Sequence, residues 1–124
     1  MEEVKGYLRK LMNHITGLHA IVISDRDGVP MLKVADEHAP ELSLRPAYLS
    51  TFSHMTDQAS KMGIGNNQSI IAFYDNLQVV QMNKHPLTVT FIAETESITG
   101  EILNLELDLQ DILAELLKVT EMPQ

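Results

Sequence analysis

The residues with the clearest chemical potential are Asp25, Asp27 and Gly28, set between two apolar runs in "IVISDRDGVPML". Two carboxylates two positions apart suggest a calcium loop, which takes oxygen ligands at positions 1, 3, 5, 9 and 12 and a Gly at 6. Counted from Asp25, position 3 is Asp27, but position 5 is Val29, Gly28 stands at 4, Lys33 at 9 and Asp36 at 12. The template fails, and Arg26 competes with any cation. Asp and Gly both tolerate the backbone angles of tight turns, and Val29-Pro30-Met31-Leu32 opens a second apolar run. The stretch therefore reads as a β-hairpin turn rather than a metal loop.

The other chemistry-bearing types are scattered. His14, His19, His38, His54 and His85 form no His-x-x-x-His or His-x-His pair, so zinc has no local signature. There is no Cys, which removes thiolate sites, disulfides and Cys nucleophiles. Gly63-Ile64-Gly65 follows a helix rather than a strand, and Gln68 occupies the place of the third dinucleotide-loop glycine. No nucleophile elbow is present. A formal net charge of −8 and few aromatic residues argue against nucleic acid, which needs a basic face or a stacking sheet. No catalytic residue, cofactor or metal is expected. Met1-Glu2-Glu3 opens no signal peptide, Glu2 rules out myristoylation, and no apolar run approaches a membrane span. The chain is expected to be soluble and cytosolic.

Position along the chain is set by simple periodicities. Val4, Tyr7, Leu8, Leu11, Met12 and Ile15 recur with helical spacing, and Gly17 closes that helix. Strands follow near 18–24 and 29–36, then a loop "DEHAPELSLRP". Pro46 suits the first turn of a second helix that runs to about Met62 and stops at Gly63. Its main apolar stripe is Tyr48, Phe52, Met55, Ala59 and Met62, with Leu49, Ser53, Thr56 and Ser60 as a shoulder of mostly small residues. "QSIIAFY", "LQVVQMN" and "LTVTFIAE" read as three strands with tight connections. From about Thr99 one long helix is expected, buried through Ile102, Leu105, Leu109, Ile112, Leu113 and Leu116. Glu101, Asp108, Asp111 and Glu115 form an acidic stripe beside that face, to be read as a solvated surface or as a docking site for a basic segment.

The order is α-β-β-α-β-β-β-α in one domain, residues 1–124. Ala20–Ile23, Ile70–Phe73 and Phe91–Ala93 are apolar on both faces, so the sheet should be covered on both sides. The middle helix is expected on one face and the terminal helices on the other, an α+β arrangement. Ligand-sensor and profilin-like domains share related orders, and fold alone does not separate them from adaptors.

"GLHAIVISDRDGVPMLKVA" and "LRPAYLSTFSHMTDQASKMGIGNNQSIIAFYDNLQVVQMNKHPLTVTFIA" closely resemble the MEK-binding-partner family of MAP kinase scaffolds, the roadblock/dynein-light-chain subunits of Ragulator. The "DRDGVP" turn, the helix opening Tyr48-Leu49-Ser50-Thr51-Phe52 and "QVVQ" are the specific pieces, within about residues 17 to 95. The resemblance implies a roadblock/dynein-light-chain (profilin-like) fold without enzymatic activity. It implies a heterodimer with a second roadblock-fold subunit on the cytosolic face of late endosomes and lysosomes. Other Ragulator subunits, a lipidated one supplying the membrane anchor, Rag GTPases, and a MAP kinase kinase with its MAP kinase are the implied partners. A homodimeric small-GTPase regulator and a small-ligand sensor are the competing readings.

Antiparallel hairpins 1–2, 3–4 and 4–5, with strand 5 beside strand 1, give the sheet order 2-1-5-4-3. Strand 2 carries Pro30, Lys33 and Asp36, which discourage edge pairing, whereas "QSIIAFY" carries neither charge nor Pro. The expected dimer interface is therefore Ser69, Ile70, Ile71, Ala72, Phe73 and Tyr74 along strand 3, with Leu49, Ser53, Thr56 and Ser60 letting a second helix approach closely.

Overall fold

A computed structural model describes residues 2–121. The elements are α1 (Glu2–His14), β1 (Leu18–Ser24), β2 (Pro30–Ala35), α2 (Pro46–Ala59), β3 (Ser69–Phe73), β4 (Leu77–Lys84), β5 (Leu87–Glu94), α3 (Thr99–Leu103) and α4 (Leu105–Glu121). Short 3-10 turns at Glu41–Leu44 and Ser60–Met62 lead into and out of α2. All four strand pairings are antiparallel, and the sheet order is β2-β1-β5-β4-β3, as the hairpin argument requires. β2 and β3 are the edges.

The two sheet faces are unequal. The larger core lies under α1, α3 and α4, where Leu8, Ile21, Val80, Phe91 and Leu109 pack together with little or no exposure. On the opposite face a smaller buried cluster of Ala20, Val79 and Ile92 has Leu44, Phe52 and Leu77 packed against it beneath α2. β1, β4 and β5 are central with both faces covered; β1 reads as a nearly continuous apolar run, whereas β4 and β5 intersperse buried Gln78, Gln81, Thr88 and Thr90. β3 is half-covered, and its burial falls towards Phe73.

The "DRDGVP" turn is self-satisfied. Asp25 Oδ1 accepts the backbone N–H groups of Asp27 (2.9 Å) and Val29 (3.0 Å), so the carboxylate closes the turn. Gly28 has φ +83°, and a Cβ there would overlap the Pro46 carbonyl oxygen and lie 2.9 Å from the Ser50 nitrogen. The turn thus sits directly on the first turn of α2, which needs both a left-handed residue and a missing side chain. Arg26 reaches Asp57 at 2.9 Å across the same junction, in place of the Asp57–Lys61 pair that helical spacing suggests.

Two expectations are corrected here. The C-terminal helix is interrupted at Asn104, which separates α3 from α4. Glu101 therefore sits on the short piece, and Asp108, Asp111 and Glu115 on the long one. The second correction concerns α2. Of the expected inner stripe, Phe52 packs against the sheet and Ala59 is half-buried, but Tyr48, Met55 and Met62 are exposed, and Leu49 from the shoulder is 2% exposed. The sheet beneath this part of α2 presents polar Gln81 and Asn83; Gln81 donates to Thr90 Oγ1 and Asn83 to the Asn67 carbonyl, and the hydroxyls of Thr56 and Ser60 bond Asn67 in turn. Asn67 donates its backbone N–H to Ser60 Oγ at 2.9 Å, and Thr56 Oγ1 donates to Asn67 Oδ1 at 3.3 Å.

Candidate interaction surface

Among the described residues β3 pairs only with β4, so one of its sides is free. The pairing parity identifies which groups that side presents. Tyr74 donates its N–H to the Leu77 carbonyl (2.7 Å), and Asn83 donates to the Gln68 carbonyl (2.9 Å). In an antiparallel ladder, bonded positions alternate, so Gln68, Ile70, Ala72 and Tyr74 address β4. Ser69, Ile71 and Phe73 turn their backbone N–H and C=O groups to the open edge.

Side chains flank this edge on both faces of the sheet. Ile71 lies opposite Val80 and Phe73 opposite Gln78, on the face of α3 and α4. Ile70 and Ala72 lie opposite Gln81 and Val79, on the α2 face. Phe73 and Tyr74 are 60% and 58% exposed. On the α2 face, Leu42, Tyr48, Phe52 and Tyr74 wall a groove of about 850 Å³ whose floor includes Leu77 and Val79. More than half of the Leu42 and Tyr48 surface is exposed, so the groove opens to solvent. Burying apolar area of this kind contributes roughly 25 cal/mol per Å² before the cost of association.

The β3 positions singled out in the sequence form one border, in which Ile71, Phe73 and Tyr74 are exposed and Ser69, Ile70 and Ala72 are half-buried. Of the shoulder positions, Leu49 is 2% exposed at the groove, and Ser53, Thr56 and Ser60 are half-buried, with Thr56 and Ser60 bonded to Asn67 in the segment before β3. Tyr48, Thr51 and Phe52 are the further α2 residues beside Phe73 and Tyr74 in the groove.

Glu101, Asp108, Asp111 and Glu115 are all exposed. Asp108 and Asp111 border a shallow groove with Glu3, over Val4, Tyr7 and Ile112, while Glu115 pairs with Lys118 at 3.2 Å.

One cluster escaped the sequence reading. His19 is 7% exposed. Its Nδ1 lies 2.8 Å from Asp36 Oδ2, and its Nε2 lies 3.2 Å from Glu94 Oε1. Burial opposes a charged ring, but the hydrogen bonds to Asp36 and then Glu94 outweigh it and hold the His19 pKa above the ordinary 6.5. Burial likewise opposes ionised Asp36, yet the bonds from His19 and the His38 backbone N–H hold its carboxyl below 3.8. The β1–β2 register pairs Ala20 with Ala35, so one further step brings His19 to Asp36. Among the described residues, no group of three or more His, Asp or Glu side chains is arranged to hold a metal ion.

Comparison with known proteins agrees with the architecture. Solved structures of similar shape include a roadblock/LC7 domain from Streptomyces avermitilis (TM-score 0.69, 12% identity, covering 89% of this chain and 97% of that one). Another is the gliding protein MglB from Thermus thermophilus (TM-score 0.73, 11% identity, 92% and 87% coverage). At such identities they show the fold alone. Among curated proteins, Ragulator complex protein LAMTOR3-B of Xenopus laevis is 55% identical over 120 residues, covering 97% of this chain and 98% of that protein. Ragulator complex protein LAMTOR3 of Mus musculus is 52% identical over 120 residues, covering 97% of each. The model of the family described as "Mitogen-activated protein kinase kinase 1 interacting" matches residues 2–120, and with a roadblock sheet and a free β3 edge the chain belongs to that family.

Proposed function

We propose that this chain is a non-enzymatic adaptor subunit of a Ragulator-type complex, entering it as one half of a heterodimer with a second roadblock-fold subunit. The free β3 edge, bordered by exposed Ile71, Phe73 and Tyr74, is the observation that carries the reading. An uncharged edge of this kind is a hazard unless something covers it. Edge-to-edge pairing of β3 with the sister subunit's third strand would make one continuous sheet. Tyr48, Met55 and Met62 of α2 and the 3-10 turn after it would pack beside the sister helix. Such an interface should bury on the order of 1,600 Å² or more.

The rest of the complex supplies what this chain lacks. No helix among the described residues is long and apolar enough to cross a membrane, so attachment to late endosomes or lysosomes would come from a lipidated subunit. Rag GTPases would be met through the assembled complex. A MAP kinase kinase and its kinase would be brought together on the heterodimer's surface. The exposed carboxylates Glu101, Asp108, Asp111 and Glu115 would attract a basic segment of one of these partners, mainly by raising the on-rate. Reversing the four charges should slow kinase association at low ionic strength, and an unchanged rate would leave them as a solvated face.

Coexpression with a second roadblock subunit, followed by light-scattering mass measurement, tests the reading. A one-to-one heterodimer and a lone chain that aggregates are expected. A stable homodimer indifferent to the second subunit would favour the small-GTPase-regulator reading. A monomer carrying a bound small molecule would favour the sensor, for which the groove on the α2 face, open to solvent, offers little enclosure.

A further inference from the structure

The end of the sheet away from the "DRDGVP" turn carries an irregularity. Leu18 faces Ala93 and Ala20 faces Ile92, so β1 has one extra residue against β5, and that residue is His19. A bulge of this kind re-aims the side chain it contains. Here it places the ring between Asp36, just past the end of β2, and Glu94, the last residue of β5. A neutral imidazole has one N–H and cannot donate to two carboxylates; only the imidazolium satisfies both.

The two anchors are held differently. Asp36 Oδ1 accepts the His38 backbone N–H at 2.8 Å, and the Asp36 N–H is donated to the His19 carbonyl at 2.9 Å. The Glu94 side chain is 51% exposed, its bond to the ring is the longer one, and it borders a cleft lined by His38, Asn76, Leu77 and Glu96. The Glu94 backbone is a junction: its N–H is donated to the Gly17 carbonyl at 2.9 Å, and Gln78 Nε2 donates to its carbonyl at 3.0 Å. Gln78 also donates to the Ser97 carbonyl at 2.9 Å, so the same junction steadies the path from β5 into α3.

We propose that His19 is a proton-operated latch: the doubly protonated ring ties the end of β2 to the end of β5 through Asp36 and Glu94, and loss of its Nε2 proton to solvent frees the Glu94 carboxylate into the adjoining cleft. The Nδ1 proton stays because Asp36 is the closer and better-fixed acceptor. Other charged groups bear on the ring. Past β2 are Glu37 and His38, whose ring centroid lies 5.2 Å from that of His19, with His38 Nε2 3.6 Å from Glu37. Past β5 is Glu96, and the β3–β4 connection brings Asn76 to the cleft beside Leu77 of β4, with the exposed carboxylate Asp75 next to it in sequence. Charging His38 opposes the latch, while the carboxylates favour it. Once free, Glu94 adds a negative charge beside Glu96, and the segment from Thr95 to Ile98 loses one of its ties.

Imidazole 15N titration of the full chain, in its heterodimer where the lone chain is unstable, tests this directly. His19 should titrate above the ordinary imidazole value of 6.5, and Nε2 should be the nitrogen that loses its proton. In Glu94→Gln, a change at a half-exposed side chain, the His19 midpoint should fall. Hydrogen-exchange protection of the Glu94 and Ser97 amides should drop several-fold across the wild-type titration and stay level in Glu94→Gln. A His19 midpoint at or below the ordinary value, a midpoint unmoved by Glu94→Gln, or protection that ignores the titration would overturn the latch.

Discussion

Replacing Gly28 by Ala tests how the β1–β2 turn is seated on α2, and Gly63 supplies its control. Both glycines have left-handed backbones, at φ +83° and +82°. Each Ala variant loses roughly 1–2 kcal/mol to that conformation and recovers a similar unfolded-state entropy term of about 0.4–1 kcal/mol. The difference lies in space. A Cβ at Gly63 meets nothing within 4 Å, whereas one at Gly28 runs into the backbone of Pro46 and Ser50. Backbone cannot rotate away as a side-chain tip can, so overpacking adds about 1–3 kcal/mol at Gly28 alone. With a urea slope of about 2 kcal/mol per M, Gly28→Ala should unfold at roughly 0.5–1.5 M less urea than Gly63→Ala. Equal midpoints would refute the tight seating of the turn on α2.

The burial of Leu49 and exposure of Tyr48 on α2 predict a division of labour: Leu49→Ala should cost about 2–5 kcal/mol of folding stability, whereas Tyr48→Ala should leave it within about 0.5 kcal/mol and weaken association with the second subunit. Titration calorimetry with urea unfolding separates the two, and the reverse pattern would restore the helix orientation expected from spacing. Along β3, Ile71→Pro removes an edge-facing N–H and should abolish pairing while sparing the monomer; Ala72→Pro removes a ladder bond to β4 and should destabilise the monomer by about 1–3 kcal/mol. The His19 cluster predicts a pH window. The raised His19 pKa contributes stability fully below pH 6.5, lost as pH climbs through the raised value, and the lowered Asp36 pKa contributes above 3.8, lost as pH falls. The stability gap between wild type and His19→Gln should therefore be widest between pH 3.8 and 6.5 and shrink above it; a gap that widens as pH rises further, measured by urea midpoints, contradicts the assignment.

The sheet was legible because its signals are local and redundant. β1 is apolar at nearly every position, "DRDGVP" closes a hairpin, and "QSIIAFY", "LQVVQMN" and "LTVTFIAE" are separated by short turns, so order and edges follow from antiparallel pairing. The face of α2 was not legible. Apolar residues lie on two sides of that helix, and size favours Tyr48 and Met55 as the inner ones. Only the fold shows that Leu49 and Phe52 meet the sheet while Tyr48 borders an open groove, because that depends on how the helix lands on it. His19 escaped because its partners are 17 and 75 positions away and the bulge that aims it shows only in the pairing register. The acidic residues were found individually, but the interruption at Asn104 divides them between two helices.

The central claim is that β3 completes its ladder on a second roadblock subunit, and amide hydrogen exchange resolved residue by residue tests it most directly. Ser69, Ile71 and Phe73 present their N–H groups to the open edge, and Ile70, Ala72 and Tyr74 already address β4. On heterodimer formation, protection should rise by about ten-fold or more at edge-facing amides that gain a partner, chiefly at Ile71, and change far less at the alternate positions. Unchanged exchange at Ser69, Ile71 and Phe73 in a complex of verified one-to-one mass would contradict the account.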